Sequence, residues 1–229
     1  MGPAGVCYNC RMARAGALLM GVLLLAGSAF PVTPDEAAAN LEKAVRGLRT
    51  LEARFEQLYF SASVEEPIQE GGELYFQKPD LMRWEYRSPR EKVFLYTAGL
   101  VQMYLPDEKQ LTRSRVSRQT SESDILGIFL GTKPLRDVYL IESAQFPMET
   151  SGAVELKLVP KKEGDYTSLL VEIDGKTWLL RRAVFLEWGG SRREFRFTRV
   201  RVNVPIPPKT FELKVPAGCE IIDDEALKR

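Results

Sequence analysis

The chain has 229 residues, enough for one sizeable domain or at most two small ones. Hydrophobic residues make up 45% and charged residues 28%, an ordinary balance for a soluble globular protein that argues against a disordered chain and a polytopic membrane protein. The net charge of +1 provides no field that would attract nucleic acid. The absence of histidine excludes serine–histidine and cysteine–histidine catalysis and imidazole metal sites. We expect no catalytic residue, metal or cofactor, although carboxylate or lysine chemistry stays open.

The first 29 residues have the pattern of a secretory signal peptide. Arg11 and Arg14 precede an uncharged apolar run that ends at Ala29 and is shorter than the ~20 residues that span a bilayer. Small side chains before the end of this run suit cleavage after Ala29. We expect residues 1–29 to be removed on export and residues 30–229 to form a single domain. A retained membrane anchor is the alternative.

The cysteines predict no disulfide in the mature chain. Cys7 and Cys10 form a Cys-x-x-Cys pair inside the leader, where no strand–helix context supports redox chemistry. Cleavage would leave Cys219 as the only cysteine, so the core alone must hold the fold together.

A helix is predicted over residues 33–50. Thr33 is a candidate N-cap, Pro34 suits the first helical position, and Glu36 completes a capping box. An apolar stripe with spacings of four and three follows, formed by Leu41, Val45 and Leu48.

After residue 50 the pattern changes to short strands separated by turns. Runs of five to ten residues rich in β-branched and aromatic side chains alternate with Gly and Pro turns, which is typical of an antiparallel meander. Around residue 185 apolar residues occupy both faces of the strand. One interruption is a short helix that Ser123 can cap and Gly131 can end, with one apolar face. That face consists of Ile125, Ile128 and Phe129.

Several predicted strands combine an apolar face with a charged face. Met82, Trp84 and Tyr86 alternate with charged residues along one strand, and Phe195 and Phe197 alternate with charged or polar residues along another. A long sheet of this kind must cover its apolar face. We expect an α+β, mainly β fold: an incomplete antiparallel β-barrel (half-barrel) covered by a helical lid. The apolar side chains either fill the interior or leave part of it as a cavity, and the sequence alone does not decide between these.

Two charged clusters are interpreted as solvent-exposed surface. The adjacent carboxylates of residues 223–225 do not share a face, which favours a solvated tail over a metal site. The arginines at 181–182 and 192–193, with Arg196, Arg199 and Arg201, are assigned to exposed strand faces; a basic stripe for acidic partners or lipid headgroups is the alternative.

Residues 71–110 resemble the outer-membrane lipoprotein carrier family, and the resemblance extends over nearly all of the mature chain. The stretch reads GGELYFQKPDLMRWEYRSPREKVFLYTAGLVQMYLPDEKQ. The matching positions are Gly72, Leu74, Lys78-Pro79, Met82, Trp84, Pro89 and Tyr104-Leu105-Pro106. Two positions depart from the family pattern. Lys78 stands for an arginine that is thought to hold the lid, and it keeps the charge but loses the multi-donor fork. Met82 stands for an aromatic residue.

The resemblance implies a periplasmic, non-enzymatic carrier that receives lipoproteins from an inner-membrane ABC-type complex and passes them to an outer-membrane receptor. We expect the acyl chains to bind a pocket lined by Leu74, Met82, Trp84, Phe94 and Phe195. We expect a lid that involves Lys78, Ile125, Ile128 and Phe129. We also expect a monomer that binds no nucleic acid. A carrier or sensor of another lipid on the same fold is one alternative. A lipid-acting enzyme is the other, against which the lack of a Gly-x-Ser-x-Gly elbow weighs.

Overall fold

The computed structural model describes residues 32–115, 127–128, 131, 133–144, 146–147 and 151–224. The leader predicted over residues 1–29 lies outside them, as do Ile125 and Phe129 of the predicted short helix. The described residues all belong to one compact unit. Among the described residues, no helix is both long enough and apolar enough to cross a bilayer.

Helix α1 spans Pro34–Arg46 and begins with the predicted capping box. The hydroxyl of Thr33 accepts from the backbone N–H of Glu36 at 3.2 Å, and the Glu36 carboxylate accepts from the Thr33 N–H at 3.0 Å. The prediction that the helix continues to residue 50 was wrong. Thr50 pairs with Gln77 as the first residue of a strand, and that pairing requires extended backbone.

The elements with described bounds are twelve strands, one further short helix and two 3-10 turns, and residues 127–128 are also helical. The strands are β1 (Thr50–Phe60), β2 (Ile68–Gln77), β3 (Leu81–Ser88), β4 (Lys92–Thr97), β5 (Leu100–Leu105), β6 (Gln110–Arg115), β7 (Tyr139–Ser143), β8 (Ala153–Pro160), β9 (Tyr166–Asp174), β10 (Leu180–Glu187), β11 (Arg192–Val202) and β12 (Glu220–Asp223). Helix α2 is Leu135–Val138, and the 3-10 turns are Trp188–Gly190 and Pro208–Phe211.

All twelve strands form one open sheet in the order β12-β6-β5-β4-β3-β2-β1-β11-β10-β9-β8-β7. The prediction of an unclosed, mainly β fold with few helices is confirmed. Eleven pairs of neighbours follow, and every pair is antiparallel except β12 with β6, which is parallel. A purely antiparallel sheet was therefore the wrong expectation at this edge. Residues 203–219 carry the chain from β11 in the centre of the sheet to β12 at its edge, and a crossover of that length permits parallel pairing.

The face of the sheet that carries α1 is called the inner face here. Helix α1 contacts β7 and β8, and its apolar stripe joins the main hydrophobic core. On the strands at this end, the inner side chains are fully buried. They include Leu156, Leu158, Leu169, Val171, Ile173, Ala183 and Phe185. Strands β7–β10 are called the closed half.

Strands β3–β6, called the open half, present a different inner face. By strand register, Trp84 faces the same side as Phe94 and Met103. All three are half-buried, as are Tyr96 and Val101 in the same rows. The described residues therefore leave an apolar surface partly exposed on this half.

The outer face of the open half is covered by residues 203–219, called the C-terminal strap. Ile206 and Phe211 pack on Leu95, and Leu213 joins both this cluster and its neighbour. The second cluster contains Val93, Tyr104 and Leu111 with Val215 and Cys219. The strap thus buries the side of these strands that faces away from α1.

The two charged clusters agree with their predictions only in part. Asp223 lies in β12 rather than in a solvated tail, and Arg113 donates to its two oxygens at 2.6 and 2.8 Å. Among the described residues, no group of three or more potential ligands is arranged to hold a metal ion. Among the arginines, Arg192, Arg199 and Arg201 are exposed as assigned. Arg182 and Arg196 are half-buried instead, and both donate to Glu194 at 2.7 Å.

Candidate functional site

An aromatic cluster lies on the inner face between the centre of the sheet and the open half. The Trp84 ring lies edge-on to Phe55, with centroids 4.7 Å apart, and contacts Phe195 at 5.6 Å and Phe197 at 6.0 Å. The Trp84 indole N–H points to the sulfur of Met82 at 3.2 Å. Edge-on pairs are a favoured arrangement of aromatic rings and stabilise the cluster beyond the burial of its surface.

The structure brings the five predicted pocket residues together on this face. Leu74, Met82 and Phe195 are buried within the main core, and Trp84 and Phe94 are half-buried and pack against it. The first three therefore lie beneath the surface, and the last two form part of the surface itself. Their role in binding a ligand stays a prediction.

Sequence reasoning missed the extension of this surface across β4 and β5. Tyr96, Val101 and Met103 continue it by strand register. The alternation that would have identified them is obscured in β4, because Val93 and Leu95 on its other face are also apolar. Those two side chains contact the C-terminal strap. Both faces of β4 are therefore apolar, and only its outer face is covered by the strap.

One end of the surface is polar. The Tyr86 hydroxyl donates to the Gln57 side chain at 2.7 Å. The Lys92 ammonium donates to both oxygens of Glu70, at 2.7 and 2.8 Å, and lies 4.2 Å from the centre of the Tyr86 ring. This end can therefore place a polar group of a ligand near water while its apolar part lies on the aromatic rows.

Lys78 lies at the C-terminus of α1. Its ammonium group donates to the carbonyls of Val45 at 2.9 Å and Arg46 at 3.0 Å. These carbonyls are among those that a helix leaves unpaired at its end, and a cation there also suits the helix dipole. The lysine thus ties α1 to the turn between β2 and β3. Whether this tie acts as a lid contact stays a prediction.

Ile128, the described member of the predicted lid triad, is buried against α1. A space of about 90 Å³ lies beside it, bordered by Leu41, Val45 and Leu135. That is smaller than the ~300–1,000 Å³ of typical ligand pockets. This space is therefore too small to hold a fatty chain. The half-buried apolar rows of the open half lie elsewhere on the inner face.

The closed half is buried under a helix, and the open half has aromatic rows that are only half-buried. This arrangement defines a class of fold that presents an apolar surface. The chain belongs to the family described as outer membrane lipoprotein carrier protein LolA, whose model matches residues 46–214.

Relatives with the same description cover most of the chain. A protein of Methylococcus capsulatus named outer-membrane lipoprotein carrier protein is 27% identical over 188 residues, which cover 82% of this chain and 88% of the relative. A protein of that name from Pseudomonas fluorescens is 24% identical over 207 residues, covering 90% of this chain and 97% of the relative.

Solved structures share the fold at low sequence identity. An uncharacterised conserved protein from Thermus thermophilus superposes with a TM-score of 0.55 at 14% identity, covering 83% of this chain and 98% of its own. MucB superposes with a TM-score of 0.51 at 15% identity, covering 82% of this chain and 65% of its own. At these identities the likeness establishes the architecture only.

Proposed function

We propose that the protein carries lipoproteins by burying their acyl chains against the inner face of the open half. The observation that supports this most directly is the row formed by Trp84, Phe94 and Met103, which is only half-buried, whereas the inner side chains of the closed half are fully buried. Contiguous apolar surface of this kind is uncommon on soluble proteins and marks a binding site. Membership of the lipoprotein carrier family supports the choice of ligand.

The energetics suit a carrier. Burial of acyl chain is worth ~0.8 kcal/mol per methylene, so a ~15-carbon chain represents on the order of 12 kcal/mol against water. A lipoprotein therefore needs an apolar surface to cross an aqueous compartment. An open surface of aromatic and methionine side chains binds by area rather than by fixed polar contacts, which allows release as well as binding. No covalent step is required, and the protein acts without being an enzyme.

The lid of this carrier is proposed to include α1 and the region around Ile128. Lys78 holds the end of α1 through two backbone carbonyls, so it is the point at which the lid would be tied to the sheet. Ile125 and Phe129 are proposed to complete the lid.

The remaining steps of the pathway are also part of the proposal. Residues 1–29 would direct export and be removed, and residues 30–229 would act as a monomer in the periplasm. The cargo would come from an inner-membrane ABC-type lipoprotein-releasing complex and leave to an outer-membrane receptor.

The surface is tested most sharply on β5. Met103→Glu places a charge on the inner face, whereas Gln102→Glu places the same charge one residue away on the outer face. We expect the Met103 variant, and a Trp84→Glu variant, to lose the ability to keep a lipoprotein soluble after its release from spheroplasts. The Gln102 variant should keep that ability.

All three variants are compared with the unsubstituted protein by thermal unfolding, so that a loss of fold is separated from a loss of binding. If Met103→Glu folds and carries cargo as well as Gln102→Glu does, the acyl chains bind elsewhere. Mass spectrometry of lipids that co-purify from the host would reveal a cargo other than lipoproteins.

A further inference from the structure

A second apolar groove, separate from the open half, lies where α1 ends, β11 ends and β9 turns into β10. Its volume is about 440 Å³. Helix α1 contributes Ala44, and Leu48 follows the end of that helix. The β9–β10 turn contributes Trp178 and Leu179, and β11 contributes Val202, which is 39% exposed. None of the described residues that line it carries a carboxylate.

The β9–β10 turn holds Trp178 rigidly at the rim. Trp178 has a φ of +57°, a conformation that is rare for a bulky side chain. Asp174 fixes the turn by accepting from the N–H groups of Thr177 at 2.8 Å and Lys176 at 3.2 Å. The Thr177 N–H bond is the chief cause that lowers the pKa of Asp174 to about 2, and Arg181 contributes through the other oxygen at 3.1 Å. The indole is half-buried and packs against the edge of the core.

One exposed cation lines this groove, and two others belong to residues beside its lining. Lys43 lines it, Lys176 precedes the lining residue Thr177, and the backbone N–H of Arg49 donates to Asn203, which also lines it, at 2.8 Å. All three cationic side chains are exposed, and among the described residues none of them forms an ion pair. An apolar groove with a cationic border complements a partner that is both apolar and anionic.

We propose that this groove docks the protein on the surface of a phospholipid bilayer that carries anionic headgroups. Indole rings partition to the headgroup level of a bilayer because they combine an apolar body with a polar N–H. Lysine and arginine near such a surface are attracted to its diffuse negative charge. Two of the three cations here are lysines, point charges that suit dispersed phosphates better than they suit the forked pairing of one carboxylate. Docking would bring the carrier to a membrane without occupying its acyl-binding surface.

The test is flotation of the purified protein with vesicles of phosphatidylcholine containing phosphatidylglycerol, and with vesicles of phosphatidylcholine alone. We expect binding to the anionic vesicles only, and weaker binding as salt is raised. The double variant Lys43→Glu with Lys176→Glu should reduce partitioning by at least about 25-fold, since each cation near the surface is worth about fivefold. Trp178→Ala should reduce it by about fivefold.

Matched controls lie at the other end of β10. Trp188 is 63% exposed, and Trp188→Ala with Lys162→Glu removes an exposed indole and inverts an exposed lysine outside the groove. This control should bind vesicles as the unsubstituted protein does. Equal binding to neutral vesicles, no binding to anionic vesicles, or an equal loss in the control would each overturn the proposal.

Lipoprotein solubilisation in vesicle-free solution is measured on the same variants. It should be unchanged in Trp178→Ala, because Trp178 lies in the β9–β10 turn, outside both the open half and the proposed lid. Loss of cargo binding in Met103→Glu with vesicle binding retained would confirm that the two surfaces act separately. Loss of vesicle binding in Met103→Glu would count against the groove as the docking surface.

Discussion

The closed half buries the inner side of its strands under α1, whereas the open half buries the outer side of its strands under the C-terminal strap. Leu169 in the closed half is fully buried, and Met103 in the open half is half-buried although both face inward. A strand with one apolar face sealed is stable with its other face partly exposed. The strap thus allows the open half to keep an apolar inner surface available.

The two outer faces differ as well. On the closed half, Arg182 lies between Glu172 and Glu194, whose side chains are 0% and 1% exposed. On the open half, an ion pair between Arg113 of β6 and Asp223 of β12 connects these two strands at the edge of the sheet. The side chains of this pair are 37% and 32% exposed. One half is therefore held by buried charge, and the other by apolar packing and a pair that solvent can reach.

The largest expected effect on stability comes from removing Arg182 from its buried cluster with Glu172 and Glu194. Arg182→Met keeps much of the side-chain volume but leaves Glu172 and Glu194 without this cation. Removing one partner of a buried ion pair costs about 3–5 kcal/mol of unfolding free energy. The matched variant Arg113→Met, on the open half, should cost much less because solvent reaches both members of its ion pair. Urea unfolding of both variants measures the difference, and similar losses would show that the two outer faces are held alike.

The stability that this cluster contributes should also depend on pH. Burial by itself would raise the pKa of Glu194, but hydrogen bonds from Arg182 and Arg196 lower it below its ordinary value of 4.5. A lowered pKa contributes stability that is present above the ordinary pKa and is lost as the pH falls through the folded value. The difference between Arg182→Met and the unsubstituted protein should therefore shrink in acid.

A smaller difference in unfolding free energy is expected between the inner faces of the two halves. Leu169→Ala removes a fully buried side chain from the closed half and should cost about 2–5 kcal/mol. Met103→Ala, at a half-buried position on the open half, should cost about 1 kcal/mol or less. Cargo binding should show the reverse order, with the larger loss in the folded Met103 variant. Equal costs in thermal unfolding would mean that the open half is as tightly packed as the closed half.

Where one face of a strand is charged, the sequence predicted correctly which residues share the other, apolar face. Met82 and Trp84 were assigned correctly to a shared apolar face because charged residues separate them. The same pattern misled at Glu194, since alternation reports which way a side chain points and not how deeply it is buried. Around Val184 and Phe185 the pattern gave no preference, and the structure buries both.

The contacts of the C-terminal strap could not be predicted from the sequence. Its contacts with β4 and β5 join residues more than one hundred positions apart, and no local pattern encodes such a pairing. The placement of Asp223 in a parallel edge strand depends on the same crossover. The surface of the open half could therefore be predicted as apolar, but its extent required the structure.

The smallest expected effect is a gain in stability at the closed half. Glu155 in β8 lies opposite Glu172 in β9, and one of its carboxylate oxygens is buried without a hydrogen-bond partner among the described residues. Burial is the chief cause that raises the pKa of Glu155, and the charge of Glu172 adds to it. The N–H of Phe146 and the charge of Arg182 act in the opposite direction without cancelling the rise.

A raised carboxylate pKa means that the folded state resists ionisation of Glu155. Its contribution to stability is present below the ordinary value of 4.5 and is lost as the pH rises through the folded pKa. Glu155→Gln removes the charge while keeping the shape, so we expect the melting temperature at neutral pH to rise on the order of 1–2 °C. The gain should disappear below pH 4. Glu142→Gln in β7 is the control, since Glu142 is exposed and paired with Lys157 at 3.0 Å, and it should give no gain. A lower melting temperature for Glu155→Gln at neutral pH would mean that the ionised carboxylate stabilises the closed half.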